Sequence, residues 1–352
     1  MFLEVTERIV CQMSEPSSHR SPLRTVVIAM SVPEAILARF QAEFPEIRFM
    51  VPSDGTATDD DSVTVRATPT EDDLRDADAI VGWELPSHLL QATNRLRWMH
   101  AAGAGVERYD LAQIAARGVL LTNSKGVSAP NMAEHVLGMM IALTRRFPRL
   151  LRAQIQHEWR DEETHREVGE LQGQTVLIAG MGEVGRAVAQ RAAAFGMRVN
   201  GLRRRADALQ AGFDQVFAIG DLHAALANAD HVVVTLPNTP RSGGLFDAAA
   251  FAAMKPGAAI YNVGRGPVID TAALIAALAS GHLGGAGLDV TDPEPLPADS
   301  PLWDMENVLI TAHTSGATPR YWERQADLIA ENIRRIQRGD APRNLVDLEA
   351  GY

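Results

Sequence analysis

Three glycines, Gly180, Gly182 and Gly185, lie between an apolar run and a helix-forming segment, and their spacing constrains the fold more than any other feature. The run at 174–179 has the composition of a buried strand. The first glycine permits a tight turn, the second lets the backbone approach a pyrophosphate, and the third lets helix and strand pack closely. The amino end of the helix offers free N–H groups to an anion. The segment therefore predicts a dinucleotide-binding βαβ unit, with a turn that binds no ligand as the alternative.

Apolar runs of strand length alternate with helical segments along the rest of the chain. Helical spacing is found at 33–44, at 130–146 and at 319–337. Strands that alternate with helices at this spacing form a parallel sheet covered on both faces. The sequence therefore predicts an α/β protein with two such layers, and only the second layer contains the glycine turn. The predicted strands are 25–29, 47–50, 78–82, 96–99, 118–121, 174–179, 197–201, 231–235, 258–262, 285–289 and 308–311.

The bulk composition limits the partners. A formal net charge of -11 gives no positive field for a polyphosphate backbone, so we expect no nucleic-acid partner. Cys11 is the only cysteine, which excludes an intrachain disulfide and favours a reducing, cytoplasmic location. No apolar run reaches membrane-spanning length, so we expect no membrane partner. Residues 1–23 are interpreted as a disordered extension, or as a start assigned upstream of Met13.

Arginines follow the predicted strand at 197–201, where a ribose is bound in folds of this kind. An NAD-binding fold usually places Asp or Glu there, but this chain has Leu202 followed by Arg203, Arg204 and Arg205. A guanidinium binds a 2′-phosphate bidentately, whereas a carboxylate would repel it. We therefore predict NADP as the preferred cofactor, bound by Arg203 and Arg204. In the alternative, the arginines are a solvated cluster and Asp207 serves an NAD ribose.

Three segments at predicted strand ends carry acid–base and anion-binding side chains. Arg265 lies between glycines, Glu294 lies in a proline-stiffened loop, and His313 follows an apolar strand. Taken alone, Arg265 would be interpreted as a surface arginine, Glu294 as a solvated carboxylate and His313 as a core histidine. Together they favour a reaction site, because ligands bind at the carboxyl edge of open α/β sheets. No metal ligand set is predicted.

These segments resemble the D-2-hydroxyacid dehydrogenase family, which includes glyoxylate and hydroxypyruvate reductases. The resemblance extends from about residue 24 to the end of the chain. Its most specific part is the trio of arginine, glutamate and histidine segments. The matching stretches are 131–137 with His135, 180–185, 262–270, 287–296, 311–316 and 344–352.

The resemblance implies two Rossmann-like domains. One is a doubly wound dinucleotide-binding domain at 122–316. The other is a discontinuous, flavodoxin-like substrate-binding domain formed by 24–121 and 317–352, with the active site in the cleft between the two. The family also implies a homodimer.

The resemblance assigns roles to the reacting side chains. Arg265 would bind the substrate carboxylate and carbonyl oxygen. His313 would be the general acid in reduction and the base in oxidation, and Glu294 would hold the imidazole and favour its protonated form. The family also binds the carboxylate with backbone amides of a first-domain loop, which here is Ala104 and Gly105, although a simple turn would have the same sequence.

Further residues are implied to contact the cofactor. Asp289 matches a position near the nicotinamide amide, and the stretch from Thr235 through Leu236 to Pro237 matches a strand end beside the adenosine. The predicted cofactor set is completed by Glu183 and Val184 in the glycine turn and by Val263 and Gly264 before Arg265. Trp83 and His100 are interpreted as packing residues that could alternatively line the pocket.

The sequence therefore predicts an NAD(P)-dependent enzyme that reduces a small 2-oxo acid, of the glyoxylate or hydroxypyruvate class, reversibly to the D-2-hydroxy acid. One alternative is an NAD-linked enzyme similar to phosphoglycerate dehydrogenase. A second is a dinucleotide-sensing protein similar to transcriptional corepressors, which would bind the cofactor without turnover.

Overall fold

The computed structural model describes residues 22–52, 69–160, 162–206 and 209–351, and these form an α/β fold. The chain divides into two compact units. The first unit comprises the described residues up to Val127 and those from Thr318 onward, and the second is Ser128–Ala317. The sequence placed these boundaries after residues 121 and 316.

The elements follow one another in strand–helix alternation. The strands are β1 (Thr25–Ala29), β2 (Arg48–Met50), β3 (Ala79–Gly82), β4 (Trp98–Ala101), β5 (Leu120–Asn123), β6 (Thr175–Ala179), β7 (Arg198–Arg203), β8 (Gln215–Ala218), β9 (His231–Val234), β10 (Ala259–Asn262), β11 (Gly285–Leu288) and β12 (Val308–Ile310). The helices are α1 (Glu34–Glu43), α2 (Glu71–Leu74), α3 (Ser87–Ala92), α4 (Leu111–Ala116), α5 (Ala129–Thr144), α6 (Phe147–Ile155), α7 (Glu162–His165), α8 (Glu183–Ala194), α9 (Leu222–Leu226), α10 (Ala248–Ala253), α11 (Thr271–Ala279) and α12 (Tyr321–Arg338).

The first unit is built on a five-stranded parallel sheet with the order β2-β1-β3-β4-β5. This is the order of flavodoxin-like folds. Helix α12 returns from the far end of the chain, and its Trp322 and Ile329 are buried with β1 residues in one core. Because that helix completes the core, the first unit is discontinuous in sequence.

One prediction is wrong at the start of this unit. The disordered extension was expected to reach residue 23, but Leu23 is 1% exposed and packs in the core with Val26 and Phe40. A single apolar residue before a strand gives no periodicity, so the sequence did not reveal its burial. Residues 1–21 of that prediction, Cys11 included, lie outside the described residues.

The second unit is built on a seven-stranded parallel sheet with the order β12-β11-β10-β9-β6-β7-β8. Read from β8, its first six strands have the Rossmann order, and the strand order reverses between β6 and β9. The two faces carry separate apolar cores, one of them built against α5 and α8. The doubly wound sheet predicted from the sequence is confirmed.

Strand β8 was not predicted from the sequence. It lies at the edge of the sheet, pairs with β7 alone among the described strands, and none of its residues is fully buried. An edge strand with solvent on one side needs no apolar run, and its sequence Gln-Val-Phe-Ala gave no clear signal.

Among the described residues, each unit buries one histidine. In the first unit, burial lowers the pKa of His100 to about 3, and its Nδ1 is 2.7 Å from Oγ1 of Thr122. In the second unit, burial lowers the pKa of His231 to about 4, and its Nδ1 is 3.1 Å from the hydroxyl of Tyr261. Both rings are therefore neutral near pH 7.

Candidate active site

The three predicted reacting side chains follow neighbouring strands of the second unit. Strand β11 lies between β10 and β12, with Leu288 opposite both Asn262 and Ile310. Parallel strands end at the same edge of a sheet. The loops of Arg265, Glu294 and His313 therefore leave the carboxyl edge one after another.

His313 and Glu294 form a direct pair. Nδ1 of His313 is 2.7 Å from Oε1 of Glu294, and both side chains are about half exposed. An ionised carboxylate can only accept, so Nδ1 carries the hydrogen and donates it. Nε2 is left as the ring nitrogen that can exchange a proton with a ligand.

Arg265 lies in a loop that the buried side chain of Asn262 holds. The Asn262 amide donates to the carbonyl oxygen of Arg265 at 3.0 Å, and its Oδ1 accepts from the N–H of Gly264 at 3.0 Å. Nη1 of Arg265 donates to the carbonyl oxygen of Gly264 at 2.9 Å. Sequence reasoning placed Asn262 only within a matching stretch and gave it no role.

Gly266 joins the loop of Arg265 to the loop of Glu294. A Cβ atom at Gly266 would lie 1.9 Å from the carbonyl oxygen of Thr291. Only glycine permits this approach, which fixes the loop after β10 against the loop after β11.

The glycine turn has the geometry of an anion site. Gly180 has φ +106, and a Cβ there would lie 2.6 Å from Oγ1 of Thr235, while a Cβ on Gly185 would lie 2.0 Å from the carbonyl oxygen of Gly180. Gly182 caps α8 with extended backbone and no side-chain capping bond. Among the described residues, no hydrogen bond occupies the N–H groups of Glu183, Val184 or Gly185. The turn therefore fits a pyrophosphate.

The carboxylate of Glu183 is accounted for within the helix. It forms an ion pair with Arg186 one turn later, and its side chain is 45% exposed. Val184 is partly buried against the core. Both residues can therefore reach a ligand through their backbone N–H groups, while their side chains are engaged elsewhere.

The loops after β9 and β10 pack against each other beside the turn. A Cβ on Gly264 would lie 2.5 Å from the carbonyl oxygen of Leu236. Leu236 and Pro237 are half-buried, whereas Val263 is 3% exposed and donates to the carbonyl oxygen of Val234 at 3.1 Å. The side chain of Val263 belongs to the core, so its predicted contact with a cofactor can involve only the backbone carbonyl.

The arginines predicted to bind the 2′-phosphate on the cofactor ribose lie at the end of β7. Arg203 is half-buried and Arg204 is exposed. In the part of the chain that the structure describes, neither guanidinium has a hydrogen bond or an ion pair. Asp207, the alternative ribose ligand, lies outside the described residues.

Asp289 is bonded to its own chain rather than exposed. Its side chain is 0% exposed, and it accepts from Thr311 Oγ1 at 2.6 Å and from the N–H groups of Thr314 and Ser315 at 2.9 and 3.1 Å. These bonds fix the loop of His313. The contact between Asp289 and nicotinamide stays a prediction.

The remaining candidates lie in the first unit, after β4. The carbonyl oxygen of Ala104 accepts from Asn123 at 2.7 Å, while the N–H groups of Ala104 and Gly105 make no hydrogen bond to another described residue. His100 is buried, as its packing role requires. Trp83 stacks on Tyr321 with ring centroids 6.2 Å apart.

The described residues contain no group of three or more His, Cys, Asp or Glu side chains arranged to hold a metal ion. They also contain no helix long and apolar enough to cross a membrane.

A doubly wound parallel sheet, a glycine turn that leads into a helix and a histidine–carboxylate pair at the same edge define a dinucleotide-binding α/β protein. A family model described as "D-isomer specific 2-hydroxyacid dehydrogenase, NAD binding domain" matches residues 137–315. The chain belongs to this family, and the resemblance predicted from the sequence is confirmed.

Relatives differ in name and length. The chain is 36% identical to glyoxylate/hydroxypyruvate reductase B of Citrobacter koseri over 74% of this chain and 81% of that protein. It is 35% identical to D-3-phosphoglycerate dehydrogenase of Mycobacterium bovis over 75% of this chain, and it spans about half (49%) of that protein's length.

Solved structures share the fold over nearly the whole chain. A D-isomer specific 2-hydroxyacid dehydrogenase from Xanthobacter autotrophicus, in complex with NADPH and MES, has a TM-score of 0.77 and 33% identity. The match covers 94% of this chain and 100% of that one. Two-domain α/β architecture is therefore shared with this relative.

Proposed function

We propose that the chain catalyses the NADPH-dependent, reversible reduction of a small 2-oxo acid, such as glyoxylate or hydroxypyruvate, to the D-2-hydroxy acid. The main support for this proposal is the 2.7 Å hydrogen bond between His313 and Glu294, which lies at the same sheet edge as the glycine turn. The name of the Citrobacter koseri relative supports this substrate class.

The dinucleotide, when bound, supplies a hydride to the carbonyl carbon. As charge develops on the carbonyl oxygen, Nε2 of His313 gives it a proton, which completes the alcohol. Glu294 accepts the Nδ1 hydrogen, so it orients the ring and stabilises the imidazolium that precedes proton transfer. Arg265 binds the carboxylate and orients the carbonyl face. In the oxidative direction His313 accepts the same proton.

The dinucleotide would be held by the features that fit it. The free N–H groups of Glu183, Val184 and Gly185 would bind the pyrophosphate. Leu236 and Pro237 would border the adenosine, and the backbone of Gly264 would border the nicotinamide half. In the first unit, the unbonded N–H groups of Ala104 and Gly105 are further candidates for a carboxylate.

Cofactor preference is proposed from Arg203 and Arg204, which have no partner among the described residues and suit a 2′-phosphate. The bound NADPH of the Xanthobacter autotrophicus relative supports this assignment. In Arg203→Ser/Arg204→Ser, we expect the KM for NADPH to rise about 10–100-fold, because charge-assisted hydrogen bonds are lost. The KM for NADH should change little. Equal use of both cofactors before and after substitution would overturn the NADP preference.

The substrate is tested with a panel of 2-oxo acids assayed with NADPH and with NADH, with the product resolved on a chiral column. We expect turnover of glyoxylate or hydroxypyruvate and, where the product is chiral, the D-isomer. Preference for a phosphorylated 2-oxo acid with NADH would favour an enzyme like the Mycobacterium bovis relative. Tight dinucleotide binding without any turnover would favour a binding protein.

We also propose that the enzyme is a homodimer, formed through one face of α6. Phe147, Leu151 and Ile155 recur every four residues along α6 and are 45%, 56% and 80% exposed. Trp159, which follows the end of the helix, is 91% exposed. An exposed apolar stripe of this kind marks an interaction surface. Beside it lies a depression of about 710 Å³, lined by apolar and oppositely charged side chains including Arg145, Leu150, Glu158 and Arg160.

Exposed apolar side chains next to a depression that is lined by both positive and negative side chains suit a two-fold interface with a second copy of the chain. Light scattering after gel filtration should give twice the chain mass for the wild type and the chain mass for Ile155→Asp. A wild type that stays monomeric would overturn the dimer. A cytoplasmic location stays a prediction, which cell fractionation can test.

A further inference from the structure

We propose that Ser128, Asn131 and His135 of the segment that begins α5, together with Thr311, are positioning residues that hold the loop of His313 in its working geometry. The inference rests on the proposed role of His313 as the proton donor. None of these four side chains has a place in the chemistry described above.

The loop needs such support because of the backbone of His313. Its φ is +54, in the left-handed region that a residue with a Cβ adopts at a cost and uncommonly. Two backbone bonds restrain it directly: the N–H of His313 donates to the carbonyl oxygens of Asp289 at 2.8 Å and Thr311 at 3.0 Å. Relaxation of this residue would carry the imidazole away from Glu294.

One side of the loop is bonded to the sheet. The buried carboxylate of Asp289 accepts from the N–H groups of Thr314 and Ser315, which directly follow His313. It also accepts from the hydroxyl of Thr311, which precedes His313. Asp289 therefore binds the chain on both sides of His313.

The other side of the loop is bonded to α5. Ser128 Oγ donates to the carbonyl oxygen of Gly316 at 2.9 Å, and the Asn131 amide donates to the carbonyl oxygen of Ser315 at 2.7 Å. His135 Nε2 lies 3.0 Å from Oγ1 of Thr311. The three residues are spaced by three and four, so they share one helix face, and all of them contact the same loop.

Counting hydrogens fixes the direction of the bonds at Thr311. Its single hydroxyl hydrogen goes to Asp289, because a carboxylate cannot donate. Oγ1 of Thr311 must therefore accept from His135, which requires the hydrogen of His135 on Nε2. Thr311 thus couples the helix to the buried carboxylate, and removal of either partner leaves a polar atom of the network unpaired.

The test pairs each disruptive substitution with one that keeps the bond. Thr311→Val removes the hydroxyl at nearly constant shape, and Thr311→Ser restores it. His135→Leu removes the donor, and His135→Gln supplies an amide N–H. The control is His223→Leu, because His223 is exposed on α9 and its side chain has no hydrogen bond in the described part of the chain.

We expect kcat to fall about 10–100-fold in Thr311→Val and in His135→Leu, the range that misplacing a reacting group produces. The KM for the 2-oxo acid and the Kd for the dinucleotide should stay near wild type, because Arg265 and the glycine turn are untouched. Thr311→Ser and His135→Gln should recover most of the rate, and His223→Leu should match wild type. A fall in thermal stability without a fall in kcat would overturn the proposal.

A second readout does not depend on turnover. In protein labelled at histidine Cε1, with the His313 resonance assigned by its loss in His313→Gln, Thr311→Val and His135→Leu should shift that resonance and Thr311→Ser should restore it. If the wild type reduces no 2-oxo acid, the proposed function fails while this measurement still decides the coupling. An unshifted His313 resonance in both disruptive variants would overturn the positioning role, and if one of them does not fold the other decides.

Discussion

The two parallel sheets of this chain have related topologies, yet they differ at the turn after their first strand. In the second unit, β6 leads through Gly180 and Gly182 into α8, and the first N–H groups of the helix have no partner among the described residues. In the first unit, β1 leads into α1 through Met30, Ser31, Val32 and Pro33, and all four of these are buried.

Topology alone therefore does not make a nucleotide site. The turn of the first unit is filled by its own side chains, so a phosphate has no access to its backbone. The turn of the second unit lacks Cβ atoms at the points of closest approach. Backbone access, and not strand order, separates the two sheets in function.

The largest expected effect contrasts a histidine at the sheet edge with one inside the other sheet. In His313→Gln we expect kcat to fall about 10²–10⁴-fold, because the proton donor is lost while Arg265 and the glycine turn remain. Dinucleotide binding, followed by nucleotide fluorescence, should be retained. His100→Gln should lower stability by about 1–3 kcal/mol and leave kcat of the folded protein far above that of His313→Gln.

If His100→Gln and His313→Gln lowered kcat equally, the functional separation of the two sheets would not hold. Unfolding curves for both variants, recorded alongside the kinetics, separate a loss of chemistry from a loss of folded protein.

The next effect contrasts two glycines. In Gly185→Ala the new Cβ would lie 2.0 Å from the carbonyl oxygen of Gly180, and we expect dinucleotide affinity to fall on the order of 5–150-fold as the turn is displaced, the equivalent of an overpacking cost of about 1–3 kcal/mol. Gly118 of the first unit has φ +65 with no atom near its added Cβ. Gly118→Ala should cost about 1 kcal/mol of stability and leave affinity unchanged. Calorimetric titration with NADPH measures the dinucleotide affinity of both variants. Equal losses of affinity in Gly185→Ala and Gly118→Ala would contradict the difference expected between the two turns.

The smallest effect concerns the buried histidines, whose folded pKa values of about 3 for His100 and about 4 for His231 lie below their usual 6.5. As the pH falls, the unfolded chain binds these protons before the folded chain does. The contribution of each neutral ring to the free energy of unfolding is therefore fully present above about pH 6.5 and decreases as the pH drops. Titration of each ring should lower the free energy of unfolding by about 2 kcal/mol between about pH 6.5 and pH 5. The loss from His231 ends at about pH 4, while that from His100 continues to about pH 3.

Urea unfolding from about pH 7 to about pH 5 measures this dependence. In His100→Gln and in His231→Gln the slope should become shallower by one proton each. An unchanged slope in either variant would show that the ring in question is not the group that titrates.

Much of the fold followed from patterns within short segments. Strand β1 has the predicted bounds, because five consecutive apolar or β-branched residues directly after Arg24 favour a strand over its alternatives. Strand β8 was missed because an edge strand shows no such run, and Leu23 was missed because one residue has no period. At the candidate site, Arg265, Glu294 and His313 were singled out from residue type and strand ends. The structure places His313 and Glu294 in direct contact, and the roles of all three stay a prediction. Asn262 was given no role. Its hydrogen bonds reach only two and three residues along the chain, but they depend on the turn that the backbone makes there, and residue type alone did not reveal that turn.

The sequence by itself determined the alternation of strands and helices and the glycine turn, and it singled out the candidate reacting side chains, since each depends on neighbours along the chain. Only the tertiary structure decided that Asp289 accepts from the loop of His313, that His135 reaches Thr311, and that the ribose-end arginines lack partners among the described residues. Those contacts join atoms far apart in sequence, and their distances are set by how strands pair and helices pack.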